Sequence, residues 1–348
     1  MAINLAKKYS DHISNMYYQE SLLGGKTSKE WNWDGVKSVE IPHIQSVPLN
    51  DYTRKGSNRY GEMKDVQDTV QTLTLRRDRS FALVVDKGDN TEQMMIKNAG
   101  KVMAIENREQ VVPEIDKYTL KEWLYGAGTV SGMAKPTKTS IVQAISDAMQ
   151  VLDDNHIPQA GRYLYLTGEM YSLVRLSPEF LNIDSLGEKA LEKGVVGELF
   201  GAKIVKVPTP YLPKNAYFLL THKSAVLLPE KIRDAKIHED PVGVSGAVLE
   251  GRYIYDAFVV GARSSGVYAA VAEGTACAAP TFVGGEGNAT IATADGGTIY
   301  YTTDGSDPRY SDSAKAYTEA VTLAEGDVLK AYVKKDGMYP SAVAEFTL

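Results

Sequence analysis

The chain has 348 residues, 43% of them hydrophobic, a formal net charge of −6 and a pI near 5.5. That is enough apolar material for one large or two ordinary domains, and the acidic balance argues against a nucleic-acid binder working through a broad basic face. One cysteine, Cys277, excludes an intramolecular disulfide, and no segment approaches the roughly 18 apolar residues of a membrane span.

Residues 3–20 set Ile3, Ala6, Ile13, Met16 and Tyr17 near one helical face, predicting a short amphipathic helix without the apolar core of a signal peptide. The protein is therefore expected in the cytoplasm where it is made. A loop, "LLGGKTSKEWNWDG", follows. Residues 36–50 and 66–85 read as two strands, the first interrupted or at an edge because Pro42 and Pro48 lack the N–H of a ladder. The polar stretch between them carries Arg54, Lys55, Arg59 and Lys64. Together these segments predict a long two-stranded arm with a basic tip. Such a ribbon is marginal alone in water and needs a surface to lie on. Glu106, Glu109, Glu114 and Asp116, downstream on the predicted helix, are the candidate acidic docking partners.

From residue 89 the period turns helical. Asn90 and Gln93 offer an N-cap, Met95, Ala99, Val102 and Met103 step along the helix, and Pro113 kinks it or starts a second helix ending at Gly126 and Gly128. "KTSIVQAISDAMQVLDDNHIP" predicts another helix, with Ser140 and Gln143 at capping-box spacing. "RYLYLT" reads as a buried strand, "GEMYSLVRL" and "SPEFL" as short helices, and "AKIVKVP", "AYFLLTH" and "SAVLLPE" as strands. Residues 246–272 read as one very long hairpin. Helices and strands mix without a strict alternation, so the expected class is α+β.

Composition changes near residue 274. From Ala276 onward there are ten Asp/Glu and five Lys/Arg, a charge of −5 that leaves −1 on everything before. Five short strands, "ATIATA", "TIYYTT", "AVTL", "VLKAYVKK" and "AVAEFTL", predict a small β-sandwich. In "YYTTDGSDPRY", Asp304-Gly305 predicts a hairpin turn, and Tyr301, Asp304, Asp307 and Tyr310 are candidate ligand contacts.

No motif points to catalysis. "GGKT" at 24–27 lacks the earlier glycine and the preceding strand of a phosphate loop. The five histidines (12, 43, 156, 222, 238) are scattered, and one cysteine cannot make a paired-thiol ligand set, so no cofactor or metal is expected. Asp304 and Asp307 lack the remaining ligands of a calcium loop, which leaves a tight turn made by Asp side-chain hydrogen bonds.

The order of elements, with "YDAFV…SSGVYA" and "VVGELFGAKIVKVPTPYLP", resembles major capsid proteins of tailed bacteriophages with the Hong Kong 97-type fold, over residues 1–274. The resemblance implies an N-terminal arm (1–35), an extended β-loop (36–88), a peripheral domain with a spine helix (89–135), an axial domain (136–245) and a return hairpin (246–274). Residues 275–348 resemble the immunoglobulin-like domain at the C-terminus of chitobiase-type glycosidases, through "YYTTDGSDP", "KAYV" and the late "S-x-V". There it is an accessory, so no activity is implied. The implied function is a non-enzymatic head subunit that self-assembles through hexamers and pentamers into an icosahedral shell around DNA, held without sequence-specific contacts. A portal and a scaffold or protease would be assembly partners, the bacterial cytoplasm the assembly site, and the virion the destination. The tail would be displayed outside on a Gly/Ala hinge, dispensable for assembly, with weak glycan binding as its use. The alternatives are a carbohydrate-active or cell-surface protein with an accessory module, or another virion or nanocompartment shell protein.

Overall fold

A computed structural model describes residues 21–33, 37–44, 49–55, 59–61, 68–87, 99–177, 195–285, 287–324 and 327–347. The expected N-terminal helix, the Asn90 cap and "SPEFL" beyond Ser177 lie outside these residues.

The N-terminal part runs β1 (Ser38–Ile44), β2 (Asp68–Thr74), β3 (Arg77–Asp86), α1 (Ala99–Glu106), a π-helical turn (Asn107–Val111), α2 (Val112–Tyr125) and β4 (Thr129–Met133). It continues through α3 (Ile141–Asp154), β5 (Arg162–Thr167), α4 (Gly168–Arg175), β6 (Val195–Leu199), β7 (Ala202–Val207), β8 (Ala216–His222) and β9 (Val226–Leu227). It ends with β10 (Glu230–Glu239), β11 (Gly246–Tyr255), β12 (Phe258–Val259) and β13 (Val267–Ala272). The C-terminal part holds β14 (Thr281–Gly285), β15 (Asn288–Ala292), β16 (Thr298–Thr302), β17 (Lys315–Ala316), β18 (Val321–Thr322), β19 (Val328–Lys334) and β20 (Ala344–Thr347).

A six-stranded mixed sheet, ordered β4-β13-β8-β5-β7-β6, forms the centre. Side chains alternate across it, and both faces are covered. Tyr163, Tyr165, Leu219 and Ala269 meet Leu120, Trp123 and Leu124 of α2 on one face. Leu164, Leu166, Phe218 and Leu220 meet Ile145 and Leu152 of α3 and Met170 and Val174 of α4 on the other. This is why every residue of "RYLYLT" is buried. Phe200 and Gly201, both at positive φ, make the tight turn between β6 and β7.

The expected ribbon exists as β1 paired antiparallel with β2, from Ser38↔Thr74 to Ile44↔Asp68. The run read as one strand over 66–85 breaks in two. Leu75 turns into the core, the Arg76 N–H bonds to Asp256 Oδ2 at 2.9 Å, and β3 leaves for a three-stranded sheet, β10-β11-β3. The long hairpin expected over 246–272 is not one. Its segments β11, β12 and β13 join three different sheets, because the chain turns at the fully buried Asp256 and again through the 3₁₀ helix Gly261–Gly266. The charged strand β10 had no period-2 apolar signature to reveal it. The capping box at Ser140 does not form either: Ser140 Oγ accepts from the Thr137 N–H at 2.9 Å, and Gln143 donates to Asp147 at 2.7 Å.

Pro113 neither breaks the spine nor starts a separate helix. Without an N–H, and with a ring that crowds the carbonyl four residues back, it is accommodated by the π turn just before it, so helix runs from Ala99 to Tyr125.

The C-terminal part is a sandwich of a three-stranded sheet, β14-β15-β18, and a four-stranded one, β17-β16-β19-β20. Ile291, Ile299, Leu329, Ala331 and Val333 fill it. All five expected strands are present. Tyr301 turns toward this core and meets Tyr317 edge-on at 6.2 Å, while Tyr300 stacks on Tyr332 at 5.6 Å on the other face.

Candidate functional site

At the ribbon tip, Arg54 and Lys55 are exposed, and the Thr53 N–H donates to the Arg59 carbonyl at 3.0 Å. Tyr52 and Tyr60 meet edge-on at 5.1 Å beside them. Lys64 lies outside the described residues. Of the acidic candidates, Glu106 and Glu114 border a groove of about 360 Å³ between the spine helix and β3–β11, floored by Phe81, Ile115 and Tyr253. Glu114 is partly exposed and pairs within the chain with Arg79 at 3.2 Å, and Glu109 is half-buried.

Asp116 is a correction. It is 1% exposed and accepts hydrogen bonds from Ser21 Oγ and the Leu22 N–H, each at 2.9 Å, so it anchors the chain entering the core and is closed to a neighbour. The buried Lys26 of "GGKT" adds a favourable charge near it, which gives that lysine an internal role. Burial nevertheless raises the carboxyl from 3.8 to about 6. The folded form therefore holds a proton that the unfolded chain has released. This contribution is full below about pH 4 and lost as pH rises through about 6, a swing of about 3 kcal/mol. Asp116→Asn can still accept from Leu22 and donate to Ser21. Urea titrations from pH 4 to 7 should show a falling component in the parent that the variant lacks; parallel pH profiles would refute this.

Three of the four candidate ligand residues of the C-terminal part are also corrected, while Asp304 stays exposed. Asp304-Gly305 does not make a two-residue hairpin turn. It sits in a twelve-residue loop, 303–314, between β16 and β17. Asp304 Oδ1 accepts from the Ser306 N–H at 3.0 Å, and its Oδ2 accepts from Ser313 Oγ at 2.8 Å. These bonds hold its carboxyl below the usual range against the effect of burial. Asp307 is 6% exposed and holds Arg309 through paired bonds, Nη2–Oδ2 2.7 Å and Nε–Oδ1 3.0 Å. Arg309 Nη1 then donates to the Ala127 carbonyl, past the end of α2, at 3.0 Å. Tyr310 meets Phe258 edge-on at 6.0 Å, its hydroxyl accepts from the Val259 N–H at 3.4 Å, and burial raises it to about 12. Asp307 and Tyr310 thus face the N-terminal part and are turned away from an external sugar. Tyr301 faces the sandwich core.

A second contact joins the two parts. Tyr339 is buried in the core of the N-terminal part, 5.6 Å from the Tyr125 ring, and its hydroxyl donates to the Lys214 carbonyl. The Gly/Ala segment before it is tied down as well: the Glu273 N–H bonds to Met133 at 2.9 Å and the Cys277 N–H to Tyr339 at 2.9 Å. Arg309 and Tyr339 escaped sequence reasoning because their partners lie more than a hundred residues away, and no local pattern marks such contacts.

Among the described residues no group of His, Cys, Asp and Glu could hold a metal ion, and no helix is long and apolar enough to cross a membrane. His222 is buried between Ser224 Oγ and the Ala160 carbonyl, and Cys277 is buried with its thiol pushed up by burial.

Comparison with known proteins separates the two parts. The structure resembles the capsid structure of cyanophage P-SCSP1u, with 14% identity, TM-score 0.63, and coverage of 77% of this chain and 93% of that one. It resembles the asymmetric unit of the bacteriophage PhiM1 mature capsid at 12% identity and TM-score 0.58, covering 78% and 93%. It resembles the head structure of Helicobacter pylori bacteriophage KHP40 at 11% identity and TM-score 0.59, covering 78% and 95%. No curated protein sequence matches the chain. Residues 278–345 match the family model for the Chitobiase/beta-hexosaminidase C-terminal domain. The chain thus carries the α+β fold of phage capsid proteins, followed by an immunoglobulin-like domain of the chitobiase/beta-hexosaminidase C-terminal type.

Proposed function

We propose that the chain is a major capsid subunit of a bacteriophage head, a structural protein whose copies assemble as hexamers and pentamers into an icosahedral shell around DNA. The observation that carries this reading is the near-complete coverage of the capsid chains it resembles, which leaves only the C-terminal domain over. The charge pattern is in keeping with it. A nearly neutral shell part encloses DNA without the broad basic face of a specific binder.

On this reading the β1–β2 ribbon reaches a neighbouring subunit. Its basic tip meets the acidic rim of the neighbour's spine groove, where Glu106 and Glu114 stand. A portal and a scaffold or protease act during assembly in the host cytoplasm, and the C-terminal domain stands on the outer surface.

Electron microscopy of the purified product is the test: closed, uniform shells are expected, and a stable monomer that never assembles with co-expressed phage partners would refute the reading. Charge reversal at Arg54, Lys55 and Arg59 should lower shell yield at least about tenfold, a loss of about 1.4 kcal/mol per subunit contact, while leaving the thermal midpoint of the free subunit within about 2 °C. Unchanged yield would remove the docking argument.

A further inference from the structure

The root of the ribbon and the loop 303–314 hold the same short piece of backbone from two sides. From the ribbon, the buried Gln71 of β2 accepts from the Gly261 N–H at 2.8 Å and donates to the Val259 carbonyl at 3.4 Å. From the C-terminal domain, the Tyr310 hydroxyl takes the Val259 N–H, its ring covers Phe258, and Arg309 fastens the loop to Ala127.

The shell side is shaped to receive this loop. A Cβ at Gly126 would lie 2.3 Å from the Tyr310 hydroxyl, and one at Gly261 would lie 3.0 Å from Asp307 Cβ. The loop also lies along the ribbon itself. Thr72, Leu73 and Thr74 of β2 share one small cavity with Arg309, Tyr310 and Asp312, and Ile41 and His43 of β1 share another, of about 240 Å³, with Ser306 and Asp307.

We propose that the C-terminal immunoglobulin-like domain braces the extended ribbon, with Asp307, Arg309 and Tyr310 as the positioning residues that fix its root and hence the direction in which it leaves the subunit. A two-stranded ribbon has too little buried surface to hold itself, and the deeply buried stretch among its described residues, Gln71, Leu73 and Leu75 with Ile41 opposite Gln71, ends where this loop docks. The Arg309–Asp307 pair is 5% and 6% exposed. Burying such a pair costs desolvation, and in the docked arrangement the Ala127 carbonyl gives a further guanidinium N–H a partner. Domain and ribbon therefore order one another through β12. The inference needs no assembled shell, so it stands or falls separately from the capsid reading.

Hydrogen exchange of the full-length subunit tests it, comparing the parent with Tyr310→Ala, Arg309→Met and the milder Tyr310→Phe. Local protection reports the opening of each element separately. The two disruptive variants should speed exchange of residues 69–74 and 258–261 by about tenfold or more, Tyr310→Phe by less, while β5 (162–167) keeps its protection. Unchanged exchange at 69–74 in both disruptive variants would overturn the brace. Equal acceleration of 162–167 would overturn it too, since that marks general destabilisation. If a substitution unfolds the sandwich, seen as lost protection at 328–334, the brace is equally removed and residues 69–74 must still exchange faster.

Discussion

Asp256→Ala should lower the stability of the folded chain by about 3–5 kcal/mol. Asp256 is completely buried where β11 ends. Its oxygens accept from the Tyr118 hydroxyl at 2.7 Å, the Arg76 N–H at 2.9 Å and its neighbour Ala257 N–H at 2.8 Å. Arg76 Nε adds an ion pair at 3.5 Å, and the Arg77 guanidinium lies over the Tyr118 ring at 4.2 Å. One carboxylate thus joins the ribbon exit, the spine helix and the return strand. Alanine would leave buried donors unmet, each at a cost of about 1–3 kcal/mol. Asp256→Asn keeps the shape and one acceptor and should cost about half as much. Urea unfolding at pH 7 measures both, and an alanine variant within 1 kcal/mol of the parent would show that the junction holds without its carboxylate.

A chain ending at Glu273 should fold poorly, against the expectation that the tail is a dispensable appendage on a hinge. Truncation removes Tyr339 from the core of the N-terminal part and uncovers the aromatic and aliphatic surface at Tyr125, Phe258 and Val259, the latter two now buried. Loss of one buried aromatic alone costs about 3–5 kcal/mol, roughly 5–10 °C in the thermal midpoint of a unit this size. Exposed apolar surface should also lower soluble yield. Differential scanning calorimetry of the shortened and full chains decides the matter. A transition of the N-terminal part at the same temperature in both would restore the reading of an independent displayed module.

Legibility in the sequence follows the range of the interaction. β5 and α3 were readable because a run of apolar residues bounded by turn signals, or an apolar face at helical spacing, is a local pattern. β10, "EKIRDAKIHE", was not readable: its side chains are largely exposed, and it is a strand only because β11 offers a ladder from Glu230↔Tyr255 to Glu239↔Ala247. The run 66–85 looked continuous because its strand-forming residues do not change where the sheet does. The fork at Arg76 is set by a buried carboxylate 180 positions away. For the candidate site, the basic tip was legible as a charge cluster in a polar loop, whereas Asp116, which looked like a surface acid on the same helix, is buried by contacts from Ser21 and Leu22.

The sequence by itself determined the α+β class, the division near residue 274 and the absence of any recognisable catalytic spacing, all of which rest on composition and short-range period. Only the tertiary structure decided what "TTDGSDPRY" does. Its aspartates and tyrosine resemble a turn with a ligand face, yet folding leaves only Asp304 exposed and aims Asp307 and Tyr310 inward, where Arg309 finds Ala127 and Tyr310 finds Val259. Hydrogen-bonding chemistry is written in residue types, but whether water, a ligand or the chain's own backbone supplies the partner is settled by which distant surfaces the fold brings together.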